Sequence, residues 1–128
     1  MITTGDIQEI IYDLCRDFEV EIWLKDNLDF SEIEDERIVI IPTRITTDKY
    51  WHNSYVKIDW CVPDIDGEAD TIRTKEIEHL LEPLHYGNGI FDEKTYRFKK
   101  ESSEVSYNAE MKCHFVNLTL LFQYQNVK

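Results

Sequence analysis

The segment Tyr50–Val62, YWHNSYVKIDWCV, alternates side chains more regularly than any other part of the chain. One side of the alternation is apolar: Val56, Ile58, Trp60 and Val62. The other side is mixed: Tyr55, Lys57, Asp59 and Cys61. Successive side chains of a strand point to opposite faces of a sheet, so the segment predicts a long strand with one buried face. Pro63 and the polar stretch Asp64–Glu68 end it.

Apolar spacing on either side of this strand predicts the other elements. Ile7, Ile10, Ile11 and Leu14 have the spacing of an amphipathic helix, which Thr3 or Thr4 can cap. A second helix is predicted between Ala69 and Glu82, ended by Pro83. Further strands are predicted at Phe18–Lys25, at Arg37–Ile41 with a continuation at Arg44–Thr46, at Tyr96–Lys99, and at Met111–Gln125. Connections are predicted at Asp26–Glu36 (acidic), Gly87–Gly89 (a sharp turn) and Lys100–Ser106 (a polar loop).

The order of these elements predicts the fold class. Strand follows strand without an intervening helix, which favours antiparallel hairpins over a doubly wound parallel sheet. We therefore expect an α+β fold: a mostly antiparallel sheet of about five strands, with two helices packed on one face and the order α-β-β-β-α-β-β. A length of 128 residues, without a linker or repeat, fits a single domain over residues 1–128.

The charge of the chain is strongly acidic and unevenly distributed. The net charge is −12, which argues against sequence-specific nucleic-acid binding and against an anionic membrane as partner, because both need clustered Lys and Arg. Residues 1–48 hold 13 acidic and 4 basic groups, a net charge of −9. One end of the molecule is expected to carry most of the negative field, either as a solubilising surface or as a functional acidic face.

Cysteine usage and the terminal sequences indicate the compartment. Cys15, Cys61 and Cys113 are an odd and widely spaced set, which favours buried free thiols in a reducing environment. The N-terminus lacks the basic and apolar regions of a signal peptide, and no apolar stretch approaches the length that spans a bilayer. Synthesis in a cytoplasm-like environment is expected.

No recognised catalytic or cofactor motif is present. The alternating carboxylates of Asp64–Asp70 suggest a calcium loop, but they lack the glycine and the terminal Glu of an EF-hand at the required positions, so a helix-capping turn is favoured. The four histidines form no compact metal-ligand pattern. Cys113 and His114 are adjacent on a predicted strand and therefore point to opposite faces. No enzymatic activity, metal or cofactor is predicted.

Aromatic residues at the entrance of the long strand are candidates for a partner contact. Trp and Tyr are enriched at the energetic centres of protein interfaces, and Trp51 and Tyr55 lie beside a predicted connection. A core edge is the alternative explanation. Trp23 shares a strand face with Glu19 and Glu21, so its indole either lies under a loop or meets a partner.

The order of elements resembles a known family. An N-terminal amphipathic helix precedes an apolar strand, a long strand closing on Ile58–Asp64 (IDWCVPD), a helix and an apolar C-terminal strand. This order is similar to that of the small tail-terminator, or tail-completion, proteins of long-tailed bacteriophages and prophages. The resemblance covers nearly the whole chain as an order of elements, but it includes no residue-specific signature.

The resemblance implies a structural role in the virion. It implies a homo-oligomeric ring, commonly a hexamer, which caps the tail tube, joins it to the head, and contacts tail-tube and head-completion proteins. The protein would be made in the host bacterial cytoplasm and would reside in the tail or neck of the virion. Asp26–Glu36 is then the candidate for a segment facing the lumen or a partner, and Lys94–Lys100 for the basic side of a subunit contact. The candidate partner-binding residues are Asp29, Phe30, Glu32, Glu34, Asp35, Glu36, Trp51, Tyr55, Arg97 and Lys99.

Two other functions fit the composition. An acidic DNA mimic or inhibitor would use its carboxylates to occupy a basic site on a partner, although the Lys and Arg of the C-terminal half interrupt the carboxylate array that such a protein needs. A small metal-dependent hydrolase would need carboxylates that cluster in space, and spacing in sequence does not reveal such a cluster.

Overall fold

The computed structural model describes residues 2–24, 35–109 and 111–126 of the chain. Within these residues the helices are α1 (Thr4–Cys15) and α2 (Thr71–Leu80), followed by short 3₁₀ turns at Arg16–Phe18 and Glu82–Leu84. The strands are β1 (Glu21–Trp23), β2 (Arg37–Pro42), β3 (Thr46–Thr47), β4 (Trp51–Pro63), β5 (Tyr86–Phe91), β6 (Lys94–Asn108) and β7 (Cys113–Gln125). In the same residue ranges, no helix is both long and apolar enough to span a lipid bilayer.

The strands form one curled, mixed sheet in the order β1-β2-β4-β7-β6-β5, and β3 pairs with the start of β4. β1 runs parallel to β2, and the other neighbours are antiparallel. The longest pairing joins β4 to β7 from Trp51 opposite Gln125 to Pro63 opposite Cys113. The predicted fold class is therefore wrong. Of the residues that the structure describes, 53% are strand and 25% are helix, and a seven-stranded mixed sheet dominates the fold in place of the expected sheet of about five mostly antiparallel strands.

α1 begins where the sequence predicts. The Thr3 hydroxyl accepts a hydrogen bond from the Asp6 amide at 3.1 Å, and the Asp6 carboxylate accepts one from the Thr3 amide at 2.9 Å, which completes a capping box. Ile7, Ile11 and Cys15, four residues apart, form its buried stripe. Burial of each aliphatic side chain stabilises the fold by about 1.5–3 kcal/mol, so this stripe fixes the helix on the sheet.

The core lies between the helices and one face of the sheet. The alternate residues Val56, Ile58, Trp60 and Val62 of β4 and Val116, Leu118, Leu120, Phe122 and Tyr124 of β7 are buried there, as their spacing predicts. Ile7 and Ile11 of α1 and Ile77 of α2 join the same cluster. The opposite side of the sheet, which carries the odd-numbered residues of β4 and β7, is called the outer face.

The predicted strand Phe18–Lys25 is mostly replaced by a turn. The helix continues as a 3₁₀ turn to Phe18, and Glu19 has a φ of 58°, which reverses the chain before β1. The ring of Phe18 packs on Trp60 with a centroid separation of 5.2 Å. The alternation that suggested one long strand therefore reflects a 3₁₀ residue packed on the core, followed by a three-residue strand.

The predicted turn at Gly87–Gly89 is wrong, because both glycines lie within β5. A Cβ atom on Gly87 would overlap the ring of Phe98, and one on Gly89 would overlap the ring of Tyr96, each directly across from it on β6. Glycine is therefore needed at these two positions to leave space for the aromatic rings, not to form a turn. The chain reverses instead at Asp92 and Glu93, both with positive φ (48° and 67°), as a two-residue hairpin turn requires.

The predicted polar loop Lys100–Ser106 is also wrong, since these residues belong to the second half of β6 and pair with β7. They are exposed, which explains their polar composition. A change of register between Lys100 and Ser102 marks a bulge, beyond which β5 no longer accompanies β6.

Candidate interaction face

Four of the sequence-predicted partner residues lie together on the outer face. Trp51 and Tyr55 project from β4, and Arg97 and Lys99 project from β6, with β7 between them. The register sets the rows: Asn53, Gln123 and Arg97 lie side by side in one row. The next row contains Tyr55, Leu121 and Lys99. Residues that are more than 40 apart in sequence thus form one surface.

β5 and the middle of β4 extend this surface. Tyr86 pairs with Lys99 and is 69% exposed, and Tyr55 is 46% exposed. Lys57 pairs with Thr119 and is exposed. We call the following six residues the aromatic–basic patch: Trp51, Tyr55, Lys57, Tyr86, Arg97 and Lys99.

Charge distinguishes this patch from the rest of the chain. The four outer-face rows from Trp51 to Lys57 contain three cations, and none of the described residues paired in those rows is Asp or Glu. The net charge of the chain is −12, so a cationic surface stands out electrostatically. A depression of about 220 Å³ lies in the patch and is lined by Tyr86, Arg97, Phe98, Lys99, Leu121 and Gln123.

Hydrogen bonds hold Arg97 and Trp51 in position. The guanidinium of Arg97 lies 4.1 Å from the centre of the Trp51 ring, and its Nε–H donates to Gln123 Oε1 at 2.8 Å. The amide of Gln123 donates in turn to Asn53 Oδ1 at 2.8 Å. This chain of contacts crosses from β6 over β7 to β4, so the patch is ordered by the sheet beneath it.

Asp48 fixes the entrance of β4. Its Oδ1 accepts hydrogen bonds from the backbone amides of Trp51 at 2.7 Å and Tyr50 at 2.9 Å, and its Oδ2 accepts one from Asn53 Nδ2 at 3.0 Å. These donors, the amide of Trp51 foremost, lower the pKa of Asp48. The carboxylate therefore anchors the backbone that presents the Trp51 indole.

The remaining predicted partner residues do not join the patch. Asp35 is exposed near the start of β2. Glu36 is held within the protein by Arg73 and Trp60. The other four, Asp29, Phe30, Glu32 and Glu34, lie outside the described residues, as does most of the Asp26–Glu36 segment.

Glu36 forms a part-buried ion pair with Arg73 of α2. Arg73 Nε donates to Glu36 Oε2 at 2.6 Å and Arg73 Nη2 to Glu36 Oε1 at 2.8 Å, while Trp60 Nε1 donates to Glu36 Oε1 at 3.0 Å. Burial by itself raises the pKa of Glu36, but the hydrogen bonds from Arg73 and Trp60 and the charge of Arg73 outweigh it and lower that pKa. Glu36 thus bonds within the protein and lies apart from the patch, and its role as a partner contact stays a prediction.

The cysteines are buried free thiols in the structure. Cys61 of β4 and Cys113 of β7 lie near one end of the outer face with Met111, and Phe115 packs against them. The Cys61 thiol is hydrogen-bonded to Cys113, which raises the pKa of Cys61 and lowers that of Cys113. Burial raises the pKa of Cys15, the last residue of α1, to about 12.

The Asp64–Asp70 segment is a turn that leads into α2. Ile65 and Glu68 exchange backbone hydrogen bonds across Asp66 and Gly67, whose φ angles are 50° and 80°. Asp70 caps α2 by accepting from the Arg73 amide at 3.1 Å. Within the described residues, no group of three His, Cys, Asp or Glu side chains is arranged to hold a metal ion.

One polar pair gave no signal in the sequence. His114 Nδ1 lies 2.7 Å from Asp64 Oδ1, and the ring of Tyr107 covers the imidazole with a centroid distance of 4.8 Å. The Asp64 side chain is 4% exposed and that of His114 is 21% exposed. The two residues are 50 positions apart, so only the pairing of β4 with β7 brings them together. The pair ties the end of β4 to β7.

Comparison with known proteins provides no family assignment: no protein-family model matches the chain, and no curated protein matches it.

Proposed function

We propose that this protein is a structural subunit that acts through its surfaces, and that it serves in a bacteriophage or prophage tail as a tail-terminator ring subunit. In this role, copies of the chain form a ring that caps the tail tube and joins it to the head. Its partners are other copies of itself, tail-tube proteins and head-completion proteins. It is made in the host bacterial cytoplasm and resides in the tail or neck of the virion.

The aromatic–basic patch is the observation that supports a surface-driven role. Trp, Tyr and Arg are the residues that most often dominate the binding energy of interfaces. In this protein Trp51, Tyr55 and Tyr86 lie beside Arg97 on an uncovered sheet face, and Trp51 and Arg97 are already in contact. Because Trp51 and Arg97 already hold each other, little side-chain conformational entropy is lost at these two residues when a partner binds.

The charge distribution agrees with a subunit of a DNA-conducting tube. A protein of net charge −12 repels the DNA that passes through such a tube. The same distribution is less suited to an acidic DNA mimic, because the patch places the cations Lys57, Arg97 and Lys99 on an open face. A mimic of DNA needs a continuous array of carboxylates.

Assembly on tail tubes tests the proposal. The purified chain is mixed with tail tubes assembled from proteins of the genome that encodes it, and the mixture is studied by electron microscopy and by sedimentation. We expect rings bound at one end of the tubes. Absence of the chain from the tube ends, together with a monomeric mass at every concentration, would overturn the proposal.

A further inference from the structure

We propose that the aromatic–basic patch of one copy binds the exposed acidic stripe of α1 and its 3₁₀ turn on a second copy. The acidic stripe consists of Glu9, Asp13 and Asp17, four residues apart in sequence. The inference rests on the proposed function as a self-assembling subunit, and it specifies which two surfaces meet.

The acidic stripe points away from the core. On a helix of 3.6 residues per turn, Glu9 and Asp13 lie opposite the buried residues Ile7 and Ile11. All three stripe residues are exposed, and Arg16, the one cation along α1 and its 3₁₀ turn, lies 3.7 Å from Asp13. Glu9 and Asp13, like charges four residues apart on α1, repel each other, so helix stability does not explain their placement.

An exposed aromatic residue, Tyr12, lies beside the acidic stripe and can contact the tyrosines of the patch. Tyr12 lies on the same side of α1 as Glu9 and is 37% exposed. Interfaces combine a central apolar or aromatic contact with surrounding polar groups. Tyr12 beside Glu9 offers that arrangement to Tyr55 and Tyr86, which lie among the cations of the patch.

The two surfaces lie on opposite sides of the molecule. α1 packs on the core side of the sheet and turns the stripe outward, whereas the patch lies on the outer face. A contact between them therefore cannot be two-fold symmetric. It joins copies head to tail, and such a contact produces a ring if the rotation between neighbours closes and an open helical filament if it does not. The proposed function requires the closed form.

Charge complementarity selects a second copy as the occupant. Two patches meeting each other would place cation against cation, and two stripes would place carboxylate against carboxylate, and both arrangements are unfavourable. The patch and the stripe attract each other at short range, although whole copies with net charge −12 repel at long range. Association is therefore expected to respond to salt as well as to each charged residue.

A charge-swap experiment tests the contact. The patch variant carries Lys57→Glu and Lys99→Glu, and the stripe variant carries Glu9→Lys and Asp17→Lys. All four side chains are exposed. Matched controls make the same changes elsewhere: Lys75→Glu with Lys100→Glu, and Glu68→Lys with Glu78→Lys, at exposed positions of the described chain. Self-association is measured by sedimentation velocity over a concentration series at low salt, and circular dichroism checks that each variant folds.

The expected results follow from the sign of each surface. Each swapped variant alone presents like charges at the contact and associates about tenfold or more weakly than the unmodified chain. In an equimolar mixture of the two variants, the acidic stripe of the patch variant meets the basic patch of the stripe variant. The acidic, swapped patch of the first likewise meets the basic, swapped stripe of the second. Both contacts pair opposite charges, so the mixture recovers association. The matched controls associate like the unmodified chain.

Other outcomes overturn the inference in distinguishable ways. If the unmodified chain associates and neither swap changes the association, the contact uses other surfaces, and the inference fails while the proposed function stands. If the patch swap weakens association but the mixture does not recover, the patch binds something other than the stripe, and the inference fails. If the unmodified chain never associates, alone or on tail tubes, both the proposed function and the inference fail.

Discussion

The guanidinium carbon of Arg97 lies 4.1 Å from the centre of the Trp51 ring, although β7 separates their strands. Arg97 bonds to Gln123 and Gln123 bonds to Asn53, so one row of side chains spans three strands. The contact orders the indole on a face that no other described element covers. An indole ordered in this way is what the proposed partner contact requires.

Replacement of Arg97 by Ala is expected to separate stability from assembly. An exposed cation–π contact contributes about 0.5–1 kcal/mol, so the free energy of unfolding in urea should fall by no more than about 1 kcal/mol. Self-association should weaken by about tenfold, because Arg at an interface centre often contributes more than 1 kcal/mol to binding. Arg97→Lys keeps the charge but loses the planar stacking. Its self-association is expected to be weaker than that of the unmodified chain and stronger than that of Arg97→Ala. Unchanged association of Arg97→Ala would contradict the role of the patch.

The Glu36–Arg73 pair is expected to make stability depend on pH. The pKa of Glu36 is lowered in the folded state, so its carboxylate stabilises the fold above the ordinary Glu pKa of about 4.3 and loses that effect as the pH falls through the folded value. Glu36→Gln should therefore lower the free energy of unfolding by about 1–2 kcal/mol near pH 7, a value that already allows for the partial exposure of both side chains. The difference in stability between this variant and the unmodified chain should shrink below about pH 4.

Urea unfolding followed by tryptophan fluorescence between about pH 7 and pH 3 measures this difference. Glu76→Gln is the matched control, since Glu76 also bonds to Arg73 but is 59% exposed and should contribute much less. A Glu36→Gln difference that stays constant over the whole range would show that the lost stability does not come from the ionised carboxylate.

The two glycines of β5 are expected to differ in their tolerance of Ala. Gly87→Ala forces a methyl group against Phe98, which is 4% exposed and enclosed by the core, so a cost of about 1–3 kcal/mol is expected. Gly89→Ala meets the hydroxyl end of Tyr96, which is only partly buried and can turn outward. In urea unfolding, the free energy of unfolding of Gly87→Ala should be clearly lower than that of Gly89→Ala. The reverse order would mean that the packing of the two rings over these glycines is wrong.

The three thiols are expected to react in a definite order. Burial raises the pKa of Cys15 to about 12, whereas the hydrogen bond from Cys61 lowers that of Cys113. Because the thiolate is the nucleophile, slow alkylation with iodoacetamide near pH 8 should modify Cys113 before Cys15. Peptide mass spectrometry follows both sites in one sample. Cys61→Ala should slow the reaction at Cys113 and leave Cys15 unchanged; equal rates at both sites in the unmodified chain would refute the explanation.

Several elements could be predicted because their signals are local. The capping box of Thr3 and Asp6, the buried spacing of α1, and the alternation of β4 and β7 depend on neighbours within a few residues. The sequence-based predictions are wrong where contacts between distant parts of the chain determine the local structure. Gly87 and Gly89 resemble a turn until Phe98 and Tyr96 are placed over them.

The candidate site was only partly predictable for the same reason. Residue type alone selects Trp51, Tyr55, Arg97 and Lys99 as separate candidates, but the register of β4, β7 and β6 is what places them on one face. Residue type does not single out Tyr86 and Lys57, because their exposure on the same face is a property of the sheet. The sequence places Glu36 in an acidic run, and nothing local indicates that Arg73 and Trp60 bind its carboxylate.

The most direct test of the central claim is site-specific photo-cross-linking from the patch. A benzophenone amino acid replaces Tyr55 on the outer face, or Tyr107 as an exposed control at the other end of the sheet, and the chain is irradiated at a concentration where it associates. We predict that the probe at position 55 links two copies through the peptide containing Glu9–Asp17 of α1 and its 3₁₀ turn, and that the probe at position 107 does not. If the position 55 probe of an associated sample captures only its own chain, or another peptide of the second copy, the patch does not bind the acidic stripe.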